Sequence, residues 1–169
     1  MLRLNPAALA GLLPAPLHRL ALRLANRVRM VWWRRWRPDI AGVSIIARDG
    51  QGRVLLVRQT YGSRAWVLPG GGLDPGEDPA LAAAREFREE LGCGLSDITL
   101  LRVRTEPLHG AHNTVHLFAA RLAGEPRPDR REVAEARLFA PDRLPHDISR
   151  RMRRRIAELP AADLKDKGR

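Results

Sequence analysis

Residues 70–93 read GGGLDPGEDPALAAAREFREELGC, and three glutamates in this stretch are spaced so that they can do chemistry together. On a helix advancing about 100° per residue, Glu89 falls about 60° to one side of Glu86 and Glu90 about 40° to the other. The three carboxylates therefore share one arc, beside an apolar stripe of Ala80, Ala83, Ala84, Phe87 and Leu91. Like charges at such spacings repel, and a plain surface helix would place counter-ions there. A hard divalent cation such as Mg²⁺ relieves the repulsion, because it takes oxygen ligands. The glycines ahead of the helix permit positive φ and close backbone approach, so a loop carbonyl can join the ion's shell. A cation held beside a diphosphate implies water attack on phosphorus, with charge stabilised by cations and fixed donors. A solvated acidic helix after a glycine-rich turn has the same composition, and wheel geometry leaves both readings open.

Several elements must position that face. Asp78 is a good N-cap with Pro79 at the first helical position, and Gly92 and Gly94 stop the helix, so it spans 79–91. Upstream, Val43–Ala47 and Val54–Val57 are apolar, β-branched runs joined by RDGQGR, which predicts a hairpin. Residues 61–65 read as loop and 66–68 as a short strand broken by Pro69. Residues 98–106, 114–122 and 133–140 read as strands, with 124–130 a loop, and residues 149–159 as a basic closing helix. Leu17, Leu20, Ala21, Leu24, Val28 and Val31 recur at helical spacing, predicting an amphipathic helix over 17–31. Intermixed helices and strands give an α/β domain with a mixed sheet.

Composition bounds the function. The net charge is +11, yet residues 1–39 carry +7, residues 150–169 carry +5, and the intervening residues carry −1. The middle of the chain is not basic. Of the 30 basic residues, only Lys165 and Lys167 are lysines, which points to a compositional bias toward arginine and weakens any argument for nucleic acid from charge alone. Cys93 is the single cysteine, so an intrachain disulfide and a multi-cysteine zinc site are both excluded. The run AALAGLLPAPL is broken by Pro14 and Pro16 and makes a poor signal peptide. No uncharged apolar stretch approaches the ~18 residues of a membrane span, and the expected location is cytoplasmic. The expected organisation is a basic N-terminal segment over 1–38, a domain over 39–159 and a frayed tail over 160–169.

The stretch also resembles the Nudix box, Gly-x5-Glu-x7-Arg-Glu-U-x-Glu-Glu-x-Gly-U, with U a bulky apolar residue. Gly71, Glu77, Arg85, Glu86, Phe87, Glu89, Glu90 and Gly92 fall in place, and Cys93 is the one unusual residue, at the last apolar position. The preceding WVLPGG is similar to the family as well. The resemblance implies an α/β/α sandwich with the box as loop–helix–loop. It implies hydrolysis of a nucleoside diphosphate linked to another moiety, with Mg²⁺ or Mn²⁺. Glu86, Glu89 and Glu90 would be metal ligands, the Gly71 carbonyl would contact the metal, and Arg85 would orient the carboxylates and pair with Glu77. The family's catalytic base often lies outside the box; Glu132 and Glu135 are the candidates, with Glu106 behind them. The expected partner is a small nucleotide, the rival substrates being damaged nucleotides, ADP-ribose or nucleotide sugars, and RNA 5′ ends. A domain of another class, a catalytically silent ligand sensor or partner-binding module, typically loses box glutamates, and all are present here.

Other residues carry expectations of lower specificity. Arg58, Tyr61 and His109 are candidate substrate contacts, with Glu77 grouped among them, whereas Trp66 reads as core. His116 sits in a strand, so a zinc cluster with His109 and His112 is not expected. VWWRRWRPD, residues 31–39, packs three tryptophans among arginines. The reading is that Trp32, Trp33 and Trp36 clamp the N-terminal helix to the domain, with arginines reaching water. Contact of residues 17–37 with a membrane surface or a partner is the alternative, nucleic acid is disfavoured, and a homodimer is admitted.

Overall fold

The computed structural model describes residues 24, 27, 28 and 30–160. Five strands form one mixed sheet: β1 (Asp39–Arg48), β2 (Val54–Gln59), β3 (Gly94–Leu108), β4 (Ala111–Ala123) and β5 (Val133–Phe139). Their spatial order is β3-β4-β1-β2-β5. β1 runs parallel to β4, from Asp39 opposite His112 to Arg48 opposite Arg121. The other pairs are antiparallel.

The expected hairpin is present, and Asp49 closes its turn by accepting from the Gln51 and Arg53 amides. Residues 66 and 67 form isolated bridges rather than a full strand. β3 and β4 run longer than their apolar patterns predict. Register shifts between Ser96 and Thr99 and between Leu100 and Arg102 break the alternation that would have marked β3.

Helix α1 (Pro79–Leu91) lies on one face of the sheet. Phe87, Ala83 and Leu91 meet Val43, Ile45, Leu55, Val57 and Phe118 there. Helix α2 (Arg150–Ile156) covers the opposite face, where Ile156 packs with Ile46, Leu56, Trp66 and Leu117. The result is the expected α/β/α sandwich. Burying both faces explains why β1 and β2 read as continuous apolar runs.

Ahead of β1, residues 30–36 are helical, as are 24, 27 and 28; positions 17–23 of the expected helix lie outside the described residues. The helix runs five residues past position 31 and stops as the Arg37 amide donates to the Trp33 carbonyl, with Arg37 at φ 46°. Pro38 then bars continuation. The clamp reading needs correction: Trp32 and Trp36 are 50% and 66% exposed, and only Trp33 is partly covered. Positions 32 and 36 lie about 40° apart on the helix, and 33 is turned about 100° from 32 and about 60° from 36.

Candidate active site

The caps that delimit α1 are those its sequence calls for. The Asp78 carboxylate accepts from the Ala80 and Leu81 amides, and Gly92 turns left-handed at φ 65°. The glycine loop then lies along β1, its Gly71 carbonyl accepting from the Val43 amide and Leu73 donating to the Ala41 carbonyl. Two glycines are required. Gly70 sits at φ 140° with its Cα against the Val43 carbonyl, and a side chain at Gly71 would occupy the space of the Glu86 carboxylate.

The three glutamates on their shared arc meet three different environments. Glu89 is largely exposed and leans toward Arg85 at 3.6 Å. Glu86 is mostly covered and accepts from Arg85 at 2.9 Å. Glu90 is only 6% exposed. Burial pushes the Glu90 carboxyl up to about 8, helped by the charges of Glu86 and Glu132 and opposed by a hydrogen bond from the Gly70 amide. Its Oε2 is buried with no hydrogen-bond partner. Burial also raises the Glu86 carboxyl, against the pull of Arg85. Arg85 is held by both oxygens of Glu77, at 2.8 and 2.9 Å. That grip takes the Glu77 carboxyl down to about 2 and the guanidinium up. Thus Glu77 fixes Arg85, and Arg85 aims the helix carboxylates.

Glu132 joins this group. Its charge acts on both Glu86 and Glu90, and the segment carrying it is tied to the end of α1. The Asp129 amide donates to the Glu90 carbonyl and the Arg127 amide to the Leu91 carbonyl. The Asp129 carboxylate in turn accepts from the amides of Arg131, Glu132 and Val133. Thr60 binds the same segment through the Glu132 and Arg131 carbonyls, which puts the half-buried Tyr61 at its edge. Sequence reasoning treated 124–130 as plain loop and missed Asp129; the signal was an Asp three residues before a candidate base, able to cap its own turn.

The other candidates lie elsewhere. Glu135 lies opposite Arg58 in the regular part of the β2–β5 ladder, short of the register shift where Gln59 meets Val133, and is turned toward the far face of the sheet. There Arg58 bonds Glu135 at 3.4 Å and Asp147 at 2.5 Å, and stacks 4.4 Å from the Trp66 ring. Glu106 is on that face too, paired with Arg151 and Arg155. His109 stands exposed at the tip of the β3–β4 hairpin, left-handed at φ 50°. Trp66 is core, edge-on to Phe139 at 5.0 Å. Burial raises the Cys93 thiol, the opposite of what a nucleophile needs.

The donor set fits a hard divalent cation. It is all oxygen, it holds more negative charge than Arg85 balances, and Glu90 Oε2 is buried without a partner. The Gly71 carbonyl accepts once from Val43 and keeps a second lone pair. Among the described residues no three acidic, histidine or cysteine side chains already converge at ion-binding distance: Glu89 leans outward onto Arg85 while Glu86 and Glu90 are drawn inward.

A family model for the NUDIX domain matches residues 38–159. The chain belongs to the Nudix family. Over 66 residues it is 42% identical to an RNA pyrophosphohydrolase of Photorhabdus laumondii subsp. laumondii, covering 39% of this chain and 35% of that protein. An ADP-ribose pyrophosphatase of Mycobacterium tuberculosis is 54% identical over 54 residues, covering 30% and 26%. The matched segment thus spans about a third or less of these curated relatives. Among solved structures, a MutT Nudix hydrolase from Burkholderia pseudomallei superposes with a TM-score of 0.66 at 29% identity, over 72% of this chain and 98% of that one. A UDP-X diphosphatase does so at 0.62 and 25% identity, over 80% and 68%. Among the described residues, no helix is long and apolar enough to cross a membrane.

Proposed function

We propose that this Nudix domain hydrolyses a phosphoanhydride bond in a nucleotide or a nucleoside diphosphate derivative, by Mg²⁺-dependent attack of water on phosphorus. The observation that carries this reading is the crowding of Glu86, Glu90 and Glu132 beside the glycine loop, with a buried, partnerless oxygen on Glu90. Such an excess of buried negative charge costs stability unless something positive binds there.

Glu86, Glu89 and Glu90, with the Gly71 carbonyl, would hold the ion. When bound, Mg²⁺ supplies charge neutralisation at the phosphates and lowers the pKa of a water ligand. The protein's own part is positional. Arg85, clamped by Glu77, keeps Glu86 and Glu89 aimed, and the Asp129 turn keeps Glu132 beside them. Glu132 is the residue placed to accept the proton of the attacking water; Glu135 and Glu106, on the other face, are not. Tyr61, next to the Thr60 that binds the Glu132 segment, is the candidate substrate contact on this side.

The substrate class is open between two chemistries, small nucleoside diphosphate derivatives and RNA 5′ ends, since relatives named for each are similar to part of this chain. One panel separates them: nucleoside triphosphates, ADP-ribose, nucleotide sugars and a 5′-triphosphorylated RNA, each with Mg²⁺ and with chelator, reading phosphate, pyrophosphate and nucleoside monophosphate. Mg²⁺-dependent release from any member supports the proposal. Silence across the panel overturns it in favour of a ligand-sensing module, whereas a Glu89→Gln variant with unchanged turnover overturns the metal assignment alone.

A further inference from the structure

The N-terminal helical segment presents a face that the catalytic reading leaves unused. Leu24, Val28, Val31, Trp32 and Trp36 follow one another at i, i+4, i+7, i+8 and i+12, and all five are exposed, from 50% at Trp32 to 69% at Val31. At 100° per residue they fill an arc about 140° wide. Met30 lies opposite this arc and Trp33 about 60° beyond Trp36, and these two are the half-covered residues of the segment. The segment is pinned where the β3–β4 turn closes on it: a side chain at Gly110 would lie 2.9 Å from the Arg34 Cα and 3.1 Å from the Trp33 carbonyl. The apolar arc therefore points away from the domain on a helix held at its C-terminal end.

An exposed apolar stripe of this kind needs a partner, and its charge says which. Arg27, Arg34, Arg35 and Arg37 are all exposed, and no acid occurs between Leu24 and Pro38. By the same angular count, Arg27 and Arg34 lie along one edge of the arc and Arg35 lies within it. The Arg35 guanidinium sits 5.4 Å from the Trp36 ring centre, so it can rise to a headgroup while the ring stays apolar. Tryptophans flanking a wide apolar arc, with cations bordering it, are the composition of a helix lying in the plane of a lipid interface. A protein partner of ordinary mixed charge would leave these guanidiniums without counter-charges, and base recognition makes no use of Leu24, Val28 and Val31.

We propose that this helix face is a docking surface for an anionic bilayer, holding the domain at the lipid surface without spanning it. The inference is independent of the active-site reading.

The test uses the full chain, sedimented with vesicles of phosphatidylcholine alone or mixed with phosphatidylglycerol. Sedimentation with the anionic vesicles is expected, weakening as salt is raised, together with a blue shift of tryptophan emission. A Trp32→Ala/Trp36→Ala variant removes only exposed rings, so its melting temperature and Nudix activity should stay unchanged while vesicle binding falls at least about tenfold. A Trp32→Phe/Trp36→Phe variant should retain most of the binding. Three results overturn the proposal: wild-type protein staying in the supernatant with anionic vesicles; equal binding by the alanine variant; or a tryptophan-dependent dimer or RNA complex in place of vesicle binding.

Discussion

The two faces of the sheet treat charge in opposite ways. On the α2 face nearly every acid has its arginine. Glu106 meets Arg151 and Arg155, Glu158 meets Arg102 and Arg104, and Glu135 meets Arg58 and Arg137. On the α1 face Glu86, Glu90 and Glu132 crowd together, and Arg85, already gripped by Glu77, reaches only Glu86 and Glu89. Both faces carry carboxylates of similar exposure, so burial alone does not mark a site. What marks it is a buried carboxylate oxygen, Glu90 Oε2, that no hydrogen-bond donor meets. A fold tolerates such an arrangement where a bound cation completes it, and the paired face is what the same residue types look like when their work is structural.

The largest expected break in this contrast is Glu86→Gln. Losing this proposed metal ligand should lower kcat with the best substrate by about a hundredfold or more, while Glu135→Gln on the other face should stay within about twofold. Initial rates at saturating Mg²⁺ measure both. Glu132→Gln sharpens the contrast further and should cost about 10- to 100-fold, with the acidic limb of the pH–rate profile altered. Equal losses in Glu132→Gln and Glu135→Gln would dissolve the division of labour between the faces.

Stability should separate the faces as well. Glu90, with Glu86, Glu132 and Asp129 around it, keeps its proton up to about pH 8 in the fold, against 4.5 for an ordinary glutamate. Between these values the unfolded chain has released a proton that the folded chain retains. Metal-free protein should therefore lose stability, by a few kcal/mol, as pH rises from about 4.5 to about 8, and change little from this group beyond. Thermal melts in chelator should show the slope, and Glu90→Gln should flatten it. Added Mg²⁺ should raise the melting temperature more at pH 8 than at pH 6, because the ion competes with that proton.

The smallest effect belongs to the paired face. Glu106→Gln strands the half-buried Arg155, whose guanidinium burial already pulls down, and should cost about 1–3 kcal/mol with turnover unchanged. Denaturant midpoints alongside rates decide it. A large loss of turnover would return Glu106 to consideration as the base.

Local rules made much of this legible in the sequence. Asp78, Pro79 and Gly92 bound α1 to the residue, and the hairpin and the order of strands followed from apolar runs and turn residues. The grouping of Glu86, Glu89 and Glu90 on one arc was visible too, but not their graded burial, which depends on where the glycine loop and residues 127–133 land. Glu132 and Glu135 are three residues apart, so strand alternation alone tends to part them; which of the two faces α1 depends on how β5 is registered on β2, and that leaves no mark in composition. The tryptophans misled for a related reason. Hydrophobicity predicts that a ring is covered, whereas where the segment is pinned to the β3–β4 turn decides which rings the domain covers.

The parallel pairing of β1 with β4 sets a timetable. Asp39 meets His112 and Arg48 meets Arg121, partners roughly seventy residues apart, and closing so long a loop is the slow kind of step in folding. Helix α1 carries its own caps and lies inside that loop, so it can form early, as the chain leaves the ribosome. Glu132 comes later still, and the Asp129 turn that seats it closes onto the end of a helix already made. The candidate centre thus draws on both kinds of contact, three glutamates set by a locally capped helix and a fourth seated only when a later segment docks on the helix end.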